Sequence, residues 1–232
     1  MPDFIFDVDG TLTPSRARMN KHFAVWFSKF CENNNVYLVS GSDRPKTIEQ
    51  VGEYIYHKCK RVYQCAGNDV YEQDTNIYKA DIDWHPHTIG FFSDALRESK
   101  YPVRTGIHSE LRTGLINFSI VGRRASMEQR AEYKKYDKLH QERAAITAKF
   151  NKQFPQYQAS VAGEIGIDIV PRGLHKGQIV TDFDFSENVT FFGDKCDQGG
   201  NDYELALAVD ERGGKVYNVS NWKDTWEYLK EL

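Results

Sequence analysis

Cysteine is scarce: Cys31, Cys59, Cys65 and Cys196 form no Cys-x-x-Cys pair and no close zinc pattern in 232 residues. A disulfide scaffold is excluded, and a reduced compartment fits this usage. Long apolar runs are missing as well. A stretch such as Val189–Phe192, interrupted by Thr190, falls far short of the roughly 20 residues that a membrane-spanning helix needs. The N-terminus lacks the basic and long apolar regions of a secretory signal. No membrane association and a cytoplasmic location are therefore expected. Charge of one sign is not in excess either: 30 Lys+Arg against 33 Asp+Glu leave −3. This balance argues against nucleic-acid wrapping and against a polybasic membrane surface, so any anion site must be local. With only 7 Pro and 17 Gly, the chain is neither collagen-like nor low-complexity. What is present is 40% hydrophobic and 13% aromatic residues. That supports one large domain or two modest ones, burying roughly 70% of the unfolded surface.

The order of apolar segments suggests how these residues are arranged. Phe4-Ile5-Phe6 runs into Asp7-Val8-Asp9-Gly10-Thr11, a short strand ending in paired carboxylates and a turn-permitting glycine. Arg16 to Phe30 has helical spacing through Met19, Phe23, Phe27 and Phe30, and Val36–Val39 forms a second strand before Ser40-Gly41-Ser42-Asp43. Pro45 opens a helix containing Ile48 and Val51, and Val62–Cys65 is a third strand, followed by a turn at Gly67-Asn68-Asp69. The middle changes character. It reads as a helix near Ile89–Leu96, strands at Val103–Ile107 and Leu115–Val121, a long helix, and strands at Gln158–Val161 and Ile165–Val170. The long helix opens on the capping-box pair Ser126 and Gln129 and turns Met127, Ala131, Leu139, Ile146 and Phe150 to one broad face before Pro155. Alternation returns after Pro171-Arg172-Gly173, with a helix near His175, a strand at Val189–Phe192 ended by Gly193-Asp194, a helix over Glu204–Val209, a strand at Val216–Val219 and a helix with Trp226 and Leu229. The expected fold is α/β. Residues 1–81 and 172–232 form a doubly wound parallel-sheet core, and residues 82–171 an inserted α+β cap folded over its ligand edge.

Several polar groups fall at strand ends in this scheme. Asp7 and Asp9, one residue apart, share one turn but aim differently, so one can attack phosphorus while the other moves protons. A solvated Asp-rich turn is the plain alternative. An EF-hand is excluded because Leu12 would stand where that loop requires glycine. Asp194 can join Asp7 around a hard cation, for which magnesium fits, with Asn201 and Asp202 in support or as ordinary turn and cap residues. Ser40, with the Gly41 and Ser42 amides, can donate to phosphoryl oxygens, and Lys176 adds point charge. The segment Arg112–Arg124 and the following Arg130 offer Arg112, Arg123 and Arg130 as bidentate phosphate ligands, or simply a wet basic face. Asn117 and Asp168 are candidates for sugar hydroxyls, whereas Glu164 could merely solvate a loop.

Four strings carry a resemblance over almost the whole chain: Phe6-Asp7-Val8-Asp9-Gly10-Thr11-Leu12-Thr13, Arg112–Arg124, Gly163–Pro171, and Gly193-Asp194-Lys195 followed by Gly199-Gly200-Asn201-Asp202. Together they resemble the eukaryotic phosphomannomutase branch of the haloacid-dehalogenase (HAD) superfamily. The resemblance implies a HAD-like core with an α+β cap, Asp7 as phosphorylated nucleophile, Asp9 as acid/base, and Mg2+ held by Asp7, the Asp9 carbonyl and Asp194. It likewise implies Arg16, Arg112, Arg123 and Arg130 as substrate-handling residues, Asn117 and Asp168 near the hexose, and Lys176 as the core lysine. Gly166, counted among the substrate positions, stands where the family commonly has serine. Ala66-Gly67-Asn68 replaces a glutamate-asparagine-glycine turn, and Lys195-Cys196-Asp197-Gln198 alters the loop before the glycines. These departures bear on sugar choice more than on phosphoryl chemistry. The implied activity interconverts mannose 6-phosphate and mannose 1-phosphate through an aspartyl phosphate, primed by a hexose 1,6-bisphosphate activator. The alternatives are a magnesium-dependent sugar phosphatase and a non-catalytic sugar-phosphate-binding protein. Hexose monophosphates are the expected partners, and a homodimer is expected on the resemblance alone.

Overall fold

The computed structural model describes residues 1–186 and 188–232. They form two compact units, one of Met1–Ala80 with Gly173–Leu232 and one of Asp81–Arg172. In chain order the first stretch holds β1 (Asp3–Asp7), α1 (Lys21–Asn33), β2 (Asn35–Val39), α2 (Arg44–Val51), α3 (Glu53–Lys58), β3 (Arg61–Gln64), β4 (Asp69–Glu72) and β5 (Thr75–Lys79). The inserted unit holds α4 (His87–Glu98), β6 (Ser109–Arg112), β7 (Leu115–Phe118), α5 (Met127–His140), α6 (Glu142–Gln153), β8 (Tyr157–Ala162) and β9 (Gly166–Pro171). The chain then returns through a 3-10 segment (Lys176–Asp182), β10 (Val189–Gly193), α7 (Tyr203–Asp210), β11 (Lys215–Asn218) and α8 (Trp222–Glu231).

The first unit is a seven-stranded sheet in the order β11-β10-β1-β2-β3-β4-β5, parallel from β11 to β3 and antiparallel in its last two pairings. Alternation along β1 explains why helices cover both faces. Phe4 and Phe6 enter one core with Phe23 and Phe27 of α1, while Ile5 enters the other with Phe191 and Leu205. Because β1 lies between β2 and β10, the chain leaves it once to either side. The carboxyl ends of parallel strands at such a switch point form a crevice that suits ligands. Asp7 lies opposite Val39 and Phe6 opposite Phe192, so Asp7, Ser40 and Asp194 arrive at the same edge.

Three details of this unit depart from the sequence reading. The first helix begins at Lys21, not Arg16, because Asn20 Oδ1 accepts the His22 and Phe23 N–H groups and Arg16 is turned to φ 58°. The segment after His175 is 3-10 rather than α-helical. The β4–β5 hairpin that follows Gly67-Asn68-Asp69 was not foreseen, since every residue of β5 is exposed and leaves no apolar pattern.

The inserted unit is a four-stranded antiparallel sheet, β6-β7-β9-β8, with its own core of Phe91, Phe92, Phe118, Tyr133 and Phe150. The strand expected at Val103–Ile107 is absent, and β6 starts at Ser109 instead. Arg104 donates to the carbonyls of Leu96, Ser99, Tyr101 and Val103, closing the end of α4, and Gly106 and Ile107 turn the chain at positive φ. The Ser126–Gln129 capping box forms as read. The helix it opens does not continue to Phe150, however, because Gln141 is left-handed at φ 54° and separates α5 from α6. Asp137 supplies the missing cap: its Oδ1 accepts the Arg143 N–H at 2.8 Å and its Oδ2 the Arg143 Nε at 2.8 Å. The buried residues of α5 are Arg130, Tyr133 and Asp137, whereas Met127 and Leu139 are exposed at 64% and 78%. The apolar spacing was therefore a poor guide to this helix's buried side. Among the described residues no helix is long and apolar enough to cross a membrane.

Candidate active site

The end of β1 delivers Asp7 almost wholly buried, and the 3-10 segment begins with the equally buried Lys176. Lys176 Nζ donates to Asp7 Oδ1 at 2.5 Å and to Asp202 Oδ1 at 2.6 Å. Asp202 Oδ2 accepts the Lys195 N–H at 3.1 Å, which ties the acid to the loop after β10. Asp194, in that loop, is half-buried and accepts from Lys195 Nζ at 3.0 Å. Asp7, Asp194 and Asp202 each offer an oxygen within 4.8 Å of the others. Two lysines do not fully offset three acids. Burial, reinforced by Asp202 and Asp194, pushes the Asp7 carboxyl well above its ordinary range despite the opposing pull of Lys176. Burial and Asp202 push Asp194 the same way, against the lysines. Burial alone would lower the Lys176 ammonium, but Asp202 and Asp7 outweigh it and raise its pKa, keeping it charged.

Asp7 Oδ2 is buried and has no hydrogen-bond partner among the described residues. An orphan carboxylate oxygen beside two further acids, all oxygen donors and all repelling one another, suits a hard divalent cation. Gly10 shows how closely the loops approach. A Cβ there would lie 2.3 Å from Asp194 Oδ2, and φ is +94°. Gly10→Ala should therefore cost about 1–3 kcal/mol of stability, and magnesium should raise the melting temperature of the unsubstituted protein but not that of the variant. A thermal melt with and without the ion checks this, and an undiminished magnesium shift would contradict it.

Asp9 has a different neighbourhood. Its Oδ1 accepts the Arg16 N–H at 2.6 Å and the Gln50 Nε2 at 2.9 Å, and its side chain is not among the three converging carboxylates. Ser40 is buried, and its Oγ accepts the Ser42 N–H at 3.0 Å, which leaves the hydroxyl proton to donate elsewhere. Asn201 Oδ1 is buried without a partner among the described residues.

The inserted unit carries the other polar residues on its sheet, on α5 and in the turns beside them. Arg112 donates to Glu110 at 3.0 Å, and Arg123 Nε donates to Glu110 Oε2 at 2.8 Å, so a single carboxylate bridges the two guanidiniums. Arg130 is buried, faces Glu164 at 3.5 Å and retains an Nη1 with no partner among the described residues. Asn117 and Asp168 are register partners across β7 and β9, with Asn117 Nδ2 donating to Asp168 Oδ1 at 2.5 Å and Asn117 Oδ1 left over. A Cβ at Gly166 would come within 2.8 Å of Asn117 Nδ2, so this glycine makes room for the amide. Sequence reasoning missed Gln50 and Glu110. Glu110 was accessible to it, because it stands two residues before Arg112 on one strand and so shares its face.

In fold, the chain is similar to the C-terminal domain of a C. albicans trehalose-6-phosphate phosphatase, with a TM-score of 0.64 at 16% identity over 90% of this chain and 74% of that one. It is also similar to a haloacid dehalogenase-like hydrolase from Bacteroides thetaiotaomicron, with a TM-score of 0.59 at 10% identity over 99% and 98% of the two chains. The doubly wound core and the small antiparallel sheet are thus a fold that the chain shares with this phosphatase domain and this hydrolase. The profile described as eukaryotic phosphomannomutase matches residues 23–232. A phosphomannomutase of Saccharomyces cerevisiae is 34% identical over 98% of this chain and 92% of its own, which extends the likeness through Asp7 and Asp9. The chain belongs to the eukaryotic phosphomannomutase family.

Proposed function

We propose that this protein interconverts mannose 6-phosphate and mannose 1-phosphate by way of a phosphorylated Asp7, primed by a hexose 1,6-bisphosphate. As a phosphomannomutase-type HAD enzyme it acts on mannose phosphates. The observation that carries the reading is the buried Asp7, with one oxygen held by Lys176 and the other bare beside Asp194 and Asp202. Lys176 holds the nucleophile in place and offsets its charge as the phosphate approaches. Asp7 and Asp194, with the Asp9 carbonyl, would hold Mg2+, while Asp202 and Asn201 support them from behind. When bound, the ion would offset charge between the acids and the phosphoryl oxygens.

As the bond between phosphorus and the sugar oxygen breaks, Asp7 takes the phosphoryl group and Asp9 gives a proton to the departing oxygen. In the return step Asp9 takes a proton from the attacking hydroxyl, and Asp7 is freed. Ser40 would donate to a phosphoryl oxygen. Arg112, Arg123 and Arg130 would take the phosphate that is not reacting, with Arg16 handling substrate. Asn117 and Asp168 would meet sugar hydroxyls, and Gly166 makes room for the Asn117 amide beside them. Purified protein with magnesium and a catalytic amount of hexose bisphosphate should convert mannose 1-phosphate to its 6-phosphate faster than it releases inorganic phosphate. Product assay decides this, and release of phosphate alone would overturn the mutase reading.

A further inference from the structure

Gln50 sits on α2 with almost none of its surface exposed, yet its side chain serves neither core. Its Nε2 donates to Asp9 Oδ1 at 2.9 Å and to Thr13 Oγ1 at 3.2 Å, and its backbone carbonyl accepts the Met19 N–H at 2.8 Å. Asp9 sets the amide's orientation, because a carboxylate oxygen accepts and must face the NH2 edge, and Thr13 agrees with it. Its hydroxyl proton is committed to the Val8 carbonyl at 3.2 Å, so toward Gln50 it can only accept. The NH2 group must therefore face Thr13 and Asp9, and the amide oxygen is left buried without a partner among the described residues. A buried orphan oxygen is unfavourable. The fold tolerates it where the opposite amide edge is needed.

The effect falls on one oxygen of Asp9. Oδ1 receives two donors, the Arg16 N–H and the Gln50 amide, and is thereby held as an acceptor. Oδ2 accepts no hydrogen bond among the described residues. We infer that Gln50 is the positioning residue for the acid/base: by fixing Oδ1 it makes Oδ2 the oxygen that carries the proton to and from the substrate. The inference rests on the phosphoryl-transfer reading above and adds to it which carboxylate oxygen works and what orients it. Gln50 does not touch the reacting atoms. Its amide instead links α2 to the Asp9–Thr13 turn, so the orientation of Asp9 depends on a helix that carries no other candidate site residue.

Leaving-group chemistry separates this role from a general structural one. A sugar oxygen needs a proton as it departs, whereas nitrophenolate leaves without one. Gln50→Met keeps the length and removes the donor. Gln50→Glu keeps shape and polarity and, when ionised, also removes it. Both variants should lower kcat for mannose 1-phosphate about 10- to 100-fold with KM within about twofold, as expected of a misaimed proton donor. First-turnover release of nitrophenolate from p-nitrophenyl phosphate should fall no more than about threefold. The magnesium-induced shift in melting temperature confirms that the variants remain folded. Unchanged kcat, or equal losses with both leaving groups, would overturn the inference. A wild-type protein that only hydrolyses mannose 1-phosphate overturns the mutase reading alone, and the leaving-group contrast still decides the role of Gln50.

Discussion

Asp7→Asn should leave no phosphorylated protein after incubation with labelled hexose bisphosphate, and turnover should drop by at least about 10⁴-fold. The carboxamide has the size of the acid and can still accept from Lys176, so the fold is retained. Stability should move the other way. Burial and the nearby acids hold the Asp7 carboxyl well above its ordinary range, so the folded state binds its proton more tightly than the unfolded chain does. That form of linkage favours the fold at low pH and costs stability as pH rises from the unfolded carboxylate value through the raised one. Removing the charge removes the cost. Metal-free Asp7→Asn protein should therefore melt no lower than the unsubstituted protein at neutral pH while being inactive. Normal activity in this variant would sink the covalent mechanism.

Lys176→Met should be the most damaging single change to the fold. It leaves the carboxylates of Asp7 and Asp202 buried against each other with no counter-charge, and breaking such a buried pair costs about 3–5 kcal/mol. The pH dependence carries the diagnosis. In the unsubstituted protein the lysine's raised pKa keeps its stabilising charge across the neutral range, and that contribution is lost only on strong alkalinisation. In the variant the uncompensated acids are tolerated when protonated and resisted when ionised, so stability should fall more steeply as pH climbs above about 4. Melting temperature measured against pH without metal tests this. A variant as stable as its parent at neutral pH would mean that Lys176 does not hold the acids together.

Much of this was readable because local chemistry and tertiary need agree. The apolar strand ending in Asp7-Val8-Asp9-Gly10 is a strand edge by residue type alone, and Ser126 with Gln129 forms its capping box without outside help. The reading failed where a distant residue makes the decision. Gln141 has no turn chemistry of its own, and α5 ends there because Asp137 caps the next helix through Arg143. Arg104 turns an apolar segment into a helix closure by collecting carbonyls. The buried side of α5 carries Arg130 and Asp137, so hydrophobic spacing pointed to the wrong face. Gln50 was invisible for a related reason. A glutamine inside a short helix looks like surface until the turn it supports is folded against it.

The separation between Asp7 and Lys176, 169 residues, has a consequence for biosynthesis. Asp7 precedes the inserted unit in the chain, whereas Lys176, Asp194 and Asp202 follow it, so the groups that enclose Asp7 are made only after that whole unit. That unit is continuous in sequence and can be completed while the flanking sheet still lacks β10. Until then β1 has only β2 beside it, and its terminal carboxylate is unshielded by the groups that later enclose it. A nascent chain of this protein should therefore lack a complete acid cluster until β10 and the loop through Asp202 have followed the inserted unit, closing the cluster around a strand made well before them.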